Sequence, residues 1–258
     1  MIGAAGVAAL VLLGWAVGTV TVSAWTQSWN VVKRGHFRIM AWSVLLLGGL
    51  SLLAVRGTEA DSVWPWAVAF VGMSGLYLIV QYSRTDLPGV VVGAAAGIIG
   101  VATMILVADS LPGWPVGLAS LELIAGALLL GAVSNGMLLG HWYLNQPGLK
   151  PWALGRLSDL CLAGVAASAV LGLVAVGRLA GAETEGAVLG LHSFGDSFGV
   201  FFYGTWISLL IFTGVVSWMA RRCVKIRSIQ SATGLFYVAI LTAGVSEFLV
   251  RYLMVNAA

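Results

Sequence analysis

The sequence predicts an all-α integral membrane protein with about eight transmembrane helices. Of its 258 residues, 60% are hydrophobic and only 9% are charged, whereas a soluble domain usually has about 25% charged residues. So few charges cannot cover a surface that faces water, which makes lipid the solvent for most of the chain. Backbone amides in lipid must bond within their own segment, so apolar spans form helices. No stretch shows the alternation of polar and apolar residues that a membrane β-barrel needs.

Charged residues divide the chain into eight apolar spans, and about 20 apolar residues suffice to cross a bilayer. The first charged residue is Lys33, and the apolar run before it is too long for a cleaved signal peptide, which predicts a retained first helix. Pro115 occupies a favoured first-turn position and marks the start of the fifth helix. The predicted helices cover residues 2–25, 39–55, 63–82, 88–108, 115–143, 154–176, 197–220 and 230–253.

Glycine and tryptophan are both abundant in the chain. The 34 glycines are typical of membrane helices that pack closely, and the 11 tryptophans suit the two membrane interfaces. The glycine-rich segment 93–100 predicts a packing surface for a neighbouring helix. It does not predict a dinucleotide-binding loop, because no strand precedes it.

Lysine and arginine are distributed unevenly between the two predicted sides of the membrane. Cytoplasmic loops carry an excess of these residues, so we expect the side with ten of them to be cytoplasmic and both chain termini to lie outside. The membrane is predicted to be a plasma membrane of the bacterial inner-membrane type. The ten are Lys33, Arg34, Arg38, Arg84, Lys150, Arg156, Arg221, Arg222, Lys225 and Arg227, and the other three are Arg56, Arg178 and Arg251.

One polytopic domain, 1–258, is predicted, and its division into two parallel four-helix halves, 1–110 and 111–258, is one interpretation. A Gly-His-aromatic triplet follows the first helix, at 35–37, and another ends the fifth helix, at 140–142. An even number of spans in each half would make the halves parallel. The alternative is that any glycine-rich chain of eight helices yields such matches by chance.

His36, His141 and Trp142 form the first candidate site, at the predicted cytoplasmic interface. A neutral imidazole can ligate haem iron or another metal, and it can hydrogen-bond a quinone carbonyl. The glycine before each histidine leaves room for a flat ring. The alternative is that interfacial histidines beside aromatic residues are ordinary belt residues. No histidine lies deep in a span, which favours quinone over haem b as a cofactor.

A second candidate site, for a proton or ion relay, contains Glu122, Asn135, Glu247 and Arg251. Glu122 and Glu247 are the only acids well inside predicted spans, and an ionisable residue in a membrane is a functional hypothesis because its burial is costly. Glu247 and Arg251 are four residues apart and are expected to pair. Glu122 could pair across helices with Arg251 or could carry protons, and Asn135 could hold a water between Glu122 and His141 or bond a neighbouring helix.

Other patterns point to structure rather than chemistry. Asp159 follows Arg156 by three residues and is expected to pair with it. The sequence contains no C-x-x-C, H-E-x-x-H or P-loop motif, so zinc-protease, c-type haem and ATPase functions lack support, and no metal is predicted. The basic residues are scattered over loops, which gives no indication of nucleic-acid binding.

We expect a membrane subunit of a respiratory or electron-transfer complex that anchors partner subunits and binds quinone at the cytoplasmic side. In helix number and four-plus-four layout the chain resembles the integral quinol-handling subunits of the polysulfide-reductase and nitrite-reductase kind. The resemblance is architectural, and no family motif matches residue by residue. One alternative is a proton-coupled small-molecule transporter that uses Glu122. The other is a non-catalytic scaffold or assembly subunit in the bilayer.

Overall fold

The protein is built from α-helices that are long enough to cross a membrane. A computed structural model describes residues 3–58, 60–111, 114–143, 145–146, 148–181 and 197–256, and these contain helices and no strand. The helices are α1 (Gly3–Gln27), α2 (Arg34–Arg56), α3 (Trp64–Val80), α4 (Leu87–Asp109), α5 (Val116–Trp142), α6 (Trp152–Gly181), α7 (Ser197–Lys225) and α8 (Ile229–Asn256).

Each of the eight predicted spans corresponds to one helix, which confirms an all-α polytopic membrane protein. Seven helices are long and apolar enough to cross a bilayer, and α3 is apolar but shorter, with 17 residues. The predicted boundaries were too narrow where basic residues occur, since α2 begins at Arg34 and α7 continues to Lys225. Long basic side chains can extend toward the headgroups while their backbone stays helical, so a charge does not end a membrane helix.

The helices are arranged in two closed rings of four. In the first ring α1 contacts α2, α2 contacts α3, α3 contacts α4, and α4 returns to α1; α5 to α8 form a second ring in the same order. Helices α1 and α5 contact each other and join the rings. In the most apolar stretch of α1 and of α5, 67% of the residues are buried inside the bundle, against 33–39% in the five other long helices. These two helices are therefore the core, and the remaining six face lipid on one side.

The outer faces of the rings are apolar, as a bilayer requires. Large side chains such as Ile98 and Leu241 are 72% and 70% exposed, respectively. Lipid is the medium that such a surface contacts. We call the end of the bundle at which α1 meets α2 and α5 meets α6 the basic end, and the end at which α5 begins and α8 finishes the far end.

Backbones of α1 and α5 touch where the two helices cross. A Cβ atom added to Gly18 would overlap the carbonyl of Ala127, and one added to Gly131 would overlap the backbone of Gly18. Small residues permit this approach, which increases van der Waals contact between membrane helices. The glycines at this crossing therefore set the distance between the two rings.

The glycine-rich segment of α4 packs against α1, which confirms its predicted role as a packing surface. A Cβ at Gly93 would lie 3.0 Å from the Ala24 Cβ, and one at Gly97 would lie 2.7 Å from the Thr21 hydroxyl oxygen. The first ring is closed by this contact.

Replacing Gly131 by alanine tests the helix crossing. Because the added methyl group has no space, we expect Gly131→Ala to destabilise the protein by about 1–3 kcal/mol, the usual cost of overpacking. A thermal unfolding assay in detergent should show a lower Tm. Gly49→Ala on α2 is the matched control, since a Cβ there meets nothing within 4 Å. Equal Tm values for the two variants would contradict a crossing set by Gly131.

Candidate functional site

Three ionisable side chains lie together inside the second ring, toward the far end. Glu122 is on α5, while Glu247 and Arg251 are on α8, and each is at most 2% exposed. Glu122 follows the first residue of α5 by six positions, which puts it roughly 9 Å from that helix end. We call these three residues the carboxyl cluster. They are three of the four residues predicted for a proton or ion relay.

The Arg251 guanidinium binds Glu247 directly. Its Nη2 atom lies 2.7 Å from Glu247 Oε2 and also donates to the Glu122 backbone carbonyl at 3.1 Å. The other oxygen, Glu247 Oε1, accepts a hydrogen bond from the Ser168 hydroxyl at 3.4 Å. The i, i+4 pair predicted from the sequence is therefore present, and it ties α8 to α5 and α6.

The Glu122 carboxyl has a different environment. Both of its oxygens are buried and have no hydrogen-bond partner within the part of the chain that the structure describes. The expected cross-helix contact with Arg251 exists, but it goes to the Glu122 backbone and not to its side chain. One guanidinium offsets one carboxylate, so the second carboxyl must hold a proton or acquire another cation for its charge to be balanced.

A small enclosed cavity adjoins Glu122. Its lining includes the indoles of Trp114 and Trp206, whose Nε1 donors are buried and lack a partner among the described residues. The space has room for about one water molecule. The wall of this space is apolar, so the indole N–H groups and the Glu122 carboxyl oxygens do not open onto it. The full lining is Trp114, Glu122, Gly172, Ala175, Trp206, Val250 and Leu253.

Gly126 allows the ion pair to rest against α5. A Cβ at this position would overlap Glu247 Oε2 and Arg251 Nη2. The absence of a side chain thus creates the space that the pair fills, one turn from Glu122. Nothing in the sequence distinguishes this glycine from the others in α5.

Asn135 lies apart from the carboxyl cluster. It is 13 residues beyond Glu122, or roughly 20 Å along the helix. Its Oδ1 accepts from the Ser23 hydroxyl at 3.0 Å, and its Nδ2 donates to the carbonyls of Gly131 at 2.9 Å and Thr19 at 3.3 Å. These bonds connect α5 with α1, as expected for a polar residue that bonds a neighbouring helix. Its role in a relay stays a prediction.

His36 and Trp142 meet at the basic end. The His36 side chain is 1% exposed, its ring centroid lies 6.1 Å from that of Trp142, and its Nδ1 atom has no partner within the described residues. A Cβ at Gly35 would lie 2.5 Å from the Trp142 ring. The indole thus fills the space that we expected a flat ligand ring to use.

His141 does not share the surroundings of His36. Its side chain is exposed, whereas the preceding residue, Gly140, is packed so closely that a Cβ there would lie 3.0 Å from the Thr233 Cβ. The two Gly-His-aromatic triplets are therefore alike in sequence but not in environment. Quinone binding by His36, His141 and Trp142 stays a prediction.

Gln146 connects the two rings at the basic end, and nothing in the sequence had indicated this role. Its Nε2 donates to the Val31 carbonyl at 2.9 Å, and its Oε1 accepts from the Lys33 amide at 2.9 Å and from Trp142 Nε1 at 3.2 Å. A loop glutamine carries no periodic or spacing signal, so only the three-dimensional structure identifies this contact.

The expected pairing of Asp159 with Arg156 is wrong. Asp159 forms an ion pair with Arg221 on α7, and the Arg156 guanidinium instead lies over the Trp152 ring, 4.5 Å from its centroid. An exposed i, i+3 pair is worth only a few tenths of a kcal/mol. A cation–π contact and a bond to the neighbouring helix can therefore replace it easily.

No protein-family profile and no curated protein sequence matches this chain. Among the described residues, no three histidine, cysteine, aspartate or glutamate side chains are grouped so that they could hold a metal ion.

Adding a methyl group at Gly126 should break the ion pair. We expect Gly126→Ala to cost about 3–5 kcal/mol, the usual effect of separating a buried pair, and to lower the Tm accordingly. Gly117→Ala serves as the control on the same helix, because a Cβ there meets nothing within 4 Å. A Gly126→Ala variant as stable as Gly117→Ala would show that the pair does not depend on this space.

Proposed function

We propose that the chain is a multi-pass plasma-membrane protein that moves protons through Glu122, coupled to the passage of a small molecule. The observation that supports this most directly is the buried Glu122 carboxyl, which has no hydrogen-bond partner among the described residues and lies beside a pair that already satisfies Arg251. Ionisable residues at such depth are costly and are typical of proton and substrate pathways.

The carboxyl cluster has two protonation states, which differ in the charge of Glu122. With Glu122 protonated, the cluster is neutral overall, since Arg251 and Glu247 offset each other. With Glu122 ionised, the nearby Arg251 guanidinium supplies positive potential that partly stabilises the charge. A group that can gain and lose a proton without large rearrangement is suited to carry protons.

Each neighbour has a distinct part in this proposal. Glu247 holds the Arg251 guanidinium in one orientation, and Ser168 in turn hydrogen-bonds Glu247. Arg251 would then raise or lower the stability of ionised Glu122 according to its distance from the carboxyl.

A second candidate is a respiratory membrane subunit that binds quinone at the basic end. One observation favours it: the buried His36 Nδ1 has no partner in the described part of the chain, and it lies beside Trp142. An imidazole nitrogen in that state can bond a quinone carbonyl. For the headgroup to enter, the Trp142 indole would have to leave the space next to Gly35, and partner subunits would dock on the same end.

Glu122→Gln tests the first function. We expect the amide to abolish proton flux across proteoliposomes that contain a trapped pH-sensitive dye, because an amide cannot exchange a proton as a carboxyl does. In infrared difference spectra recorded between two pH values, the carboxylic C=O band of Glu122 should also disappear. Gln has almost the same volume as Glu, so the Tm should change little.

Asp109→Asn is the matched control for that experiment. Asp109 is an exposed carboxylate at the end of α4, and its substitution should leave both the flux and the band unchanged. Wild-type flux in Glu122→Gln, or a wild-type protein without flux above that of empty liposomes, would rule out proton transfer through Glu122.

His36→Ala tests the second function. If quinone binds beside His36, organic extraction of purified protein should recover quinone from the wild type and at least about tenfold less from His36→Ala, the effect of losing roughly 1.4 kcal/mol of binding. His141→Ala is the control, since His141 is exposed at the same end. Quinone retained by His36→Ala, or absent from the wild type, would exclude this site.

A further inference from the structure

A groove on the outer surface of the first ring lies between α1 and α4. Its volume is about 460 Å³, which is within the range of ligand sites in proteins. Short side chains at Ala24 and Ala94, and the absence of one at Gly97, leave this space free. On α4 the groove extends from Val90 to Val101, a distance of roughly 16 Å along the helix. The full lining is Thr21, Ala24, Trp25, Ser28, Val90, Ala94, Gly97, Ile98 and Val101.

The two hydroxyl groups in this groove are already bonded to the backbone nearby. Thr21 Oγ1 donates to the Val17 carbonyl at 2.8 Å, and Ser28 Oγ donates to the Trp25 carbonyl at 2.7 Å. All other residues of the lining have apolar side chains or none, apart from the Trp25 indole. A polar solute would lose hydrogen bonds to water in such a space, so the groove suits a hydrocarbon chain.

The length of the groove favours a lipid chain over a second protein helix. Roughly 16 Å matches one leaflet, because the hydrocarbon core of both leaflets is about 30 Å thick. Val90 lies in the first turn of α4, at the basic end, and Val101 is the last residue of α4 that lines the groove. A helix of a second copy or of a partner would cross both leaflets and would need a groove along all of α4.

Three neighbouring indoles connect the groove with a positive charge at the basic end. Trp25 borders the groove, and its ring centroid lies 4.7 Å from that of Trp29. Trp29 in turn lies 5.4 Å from Trp152 of α6. The Arg156 guanidinium is 5.6 Å from the Trp29 centroid and 4.5 Å from the Trp152 centroid. One indole, that of Trp29, therefore separates the groove from Arg156, at a level where tryptophans meet lipid headgroups.

Arg156 is an exposed cation without an acidic partner. It forms no ion pair with the part of the chain that the structure describes, whereas Arg34 and Arg221 at the same end bind Asp86 and Asp159. Its contacts with two indoles hold the guanidinium in place. The planar guanidinium can bind a phosphate group through two parallel hydrogen bonds, and a side chain that is already ordered loses less freedom when it binds.

We propose that the groove and Arg156 together bind one acidic phospholipid from the leaflet at the basic end. One acyl chain lies in the groove between α1 and α4, and the phosphate group lies on the Arg156 guanidinium beside Trp29 and Trp152. An acidic headgroup is favoured because the cationic group of a zwitterionic lipid is repelled by Arg156. The site lies outside the carboxyl cluster and does not depend on proton transfer through Glu122.

Arg156→Gln tests the contact with the headgroup. The full chain in detergent is titrated with phosphatidylglycerol or with phosphatidylcholine of the same acyl chains, and native mass spectrometry gives the dissociation constant of the first bound lipid. We expect the wild type to bind phosphatidylglycerol about tenfold more tightly, and Arg156→Gln to lose that preference, which equals roughly 1.4 kcal/mol. Arg156→Lys should keep part of it, because the charge remains but the planar guanidinium is lost.

Arg222→Gln is the matched control for the charge. Arg222 is exposed at the same end and also lies over an indole, 5.6 Å from the Trp218 centroid, but it is on α7, away from the groove. Its substitution should leave the preference for phosphatidylglycerol unchanged. An equal loss of preference in Arg222→Gln and Arg156→Gln, or a wild type that binds both lipids equally, would mean that lipid binds without a specific site and would overturn the proposal.

Ala94→Phe tests the groove itself. Ala94 is exposed and lines the groove, so the larger side chain should take the space of the acyl chain and weaken the binding of phosphatidylglycerol at least about tenfold. Ala166→Phe, at an exposed position of α6, is the control and should bind as the wild type does. The Tm of both variants without added lipid should stay near that of the wild type, which separates lost binding from lost folding.

Other ligands of the same site give different results. Inorganic phosphate should not displace the lipid; displacement by phosphate, together with unchanged binding in Ala94→Phe, would indicate a site for a free anion. A dimer in the mass spectra of the wild type that Ala94→Phe dissociates would assign the groove to a second copy of the chain. Either result would overturn the proposal of a bound lipid.

Discussion

The contact between the α1 and α5 backbones at Gly18 and Gly131 is the constraint on which the rest of the structure depends. In a bilayer the hydrophobic effect gives helices little reason to associate, so close packing and buried hydrogen bonds must hold them together. The same crossing carries the bonds of Asn135 to Ser23 and to the Thr19 carbonyl. Each ring of four helices closes on one member of this pair, through α4 on α1 and α8 on α5. The arrangement leaves the interior of each ring free to hold different groups.

The two rings bury different polar groups. Inside the first ring a reciprocal amide pair forms between Gln27 and Gln81, with bonds of 3.0 and 3.1 Å. Both amides are satisfied, and the pair lies near the basic end, close to the Arg34–Asp86 ion pair. The second ring instead buries the carboxyl cluster toward the far end, with a carboxyl that no described group neutralises. A satisfied pair rigidifies a bundle, whereas an uncompensated group is a cost that function can explain. Proton transfer through Glu122 is therefore expected in the second ring.

Much of the fold could be predicted from the sequence, because composition and charge spacing are governed by the bilayer. The eight spans and the Glu247–Arg251 pair involve residues that are close together in the sequence, so the sequence alone predicts them. Contacts between helices join residues that are far apart in the sequence, and the sequence alone does not predict them. Nothing in the sequence indicated that Asp159 would prefer Arg221 to Arg156, or that the Trp142 indole would fill the space beside Gly35. The same limit applies to the candidate site: the acids could be named, but Ser168, Gly126 and Trp206 entered only through the packing of α5, α6, α7 and α8.

The short third helix has a consequence for the surrounding lipid. At 17 residues, α3 spans roughly 25 Å, whereas the hydrocarbon core of a bilayer is about 30 Å thick. The Arg56 guanidinium, over the Trp64 ring at 5.1 Å, anchors the start of α3 at the interface. Hydrophobic mismatch of this size is relieved by local thinning of the bilayer. The membrane should therefore be deformed on the α3 side of the molecule, and thinner bilayers should stabilise the protein relative to thicker ones.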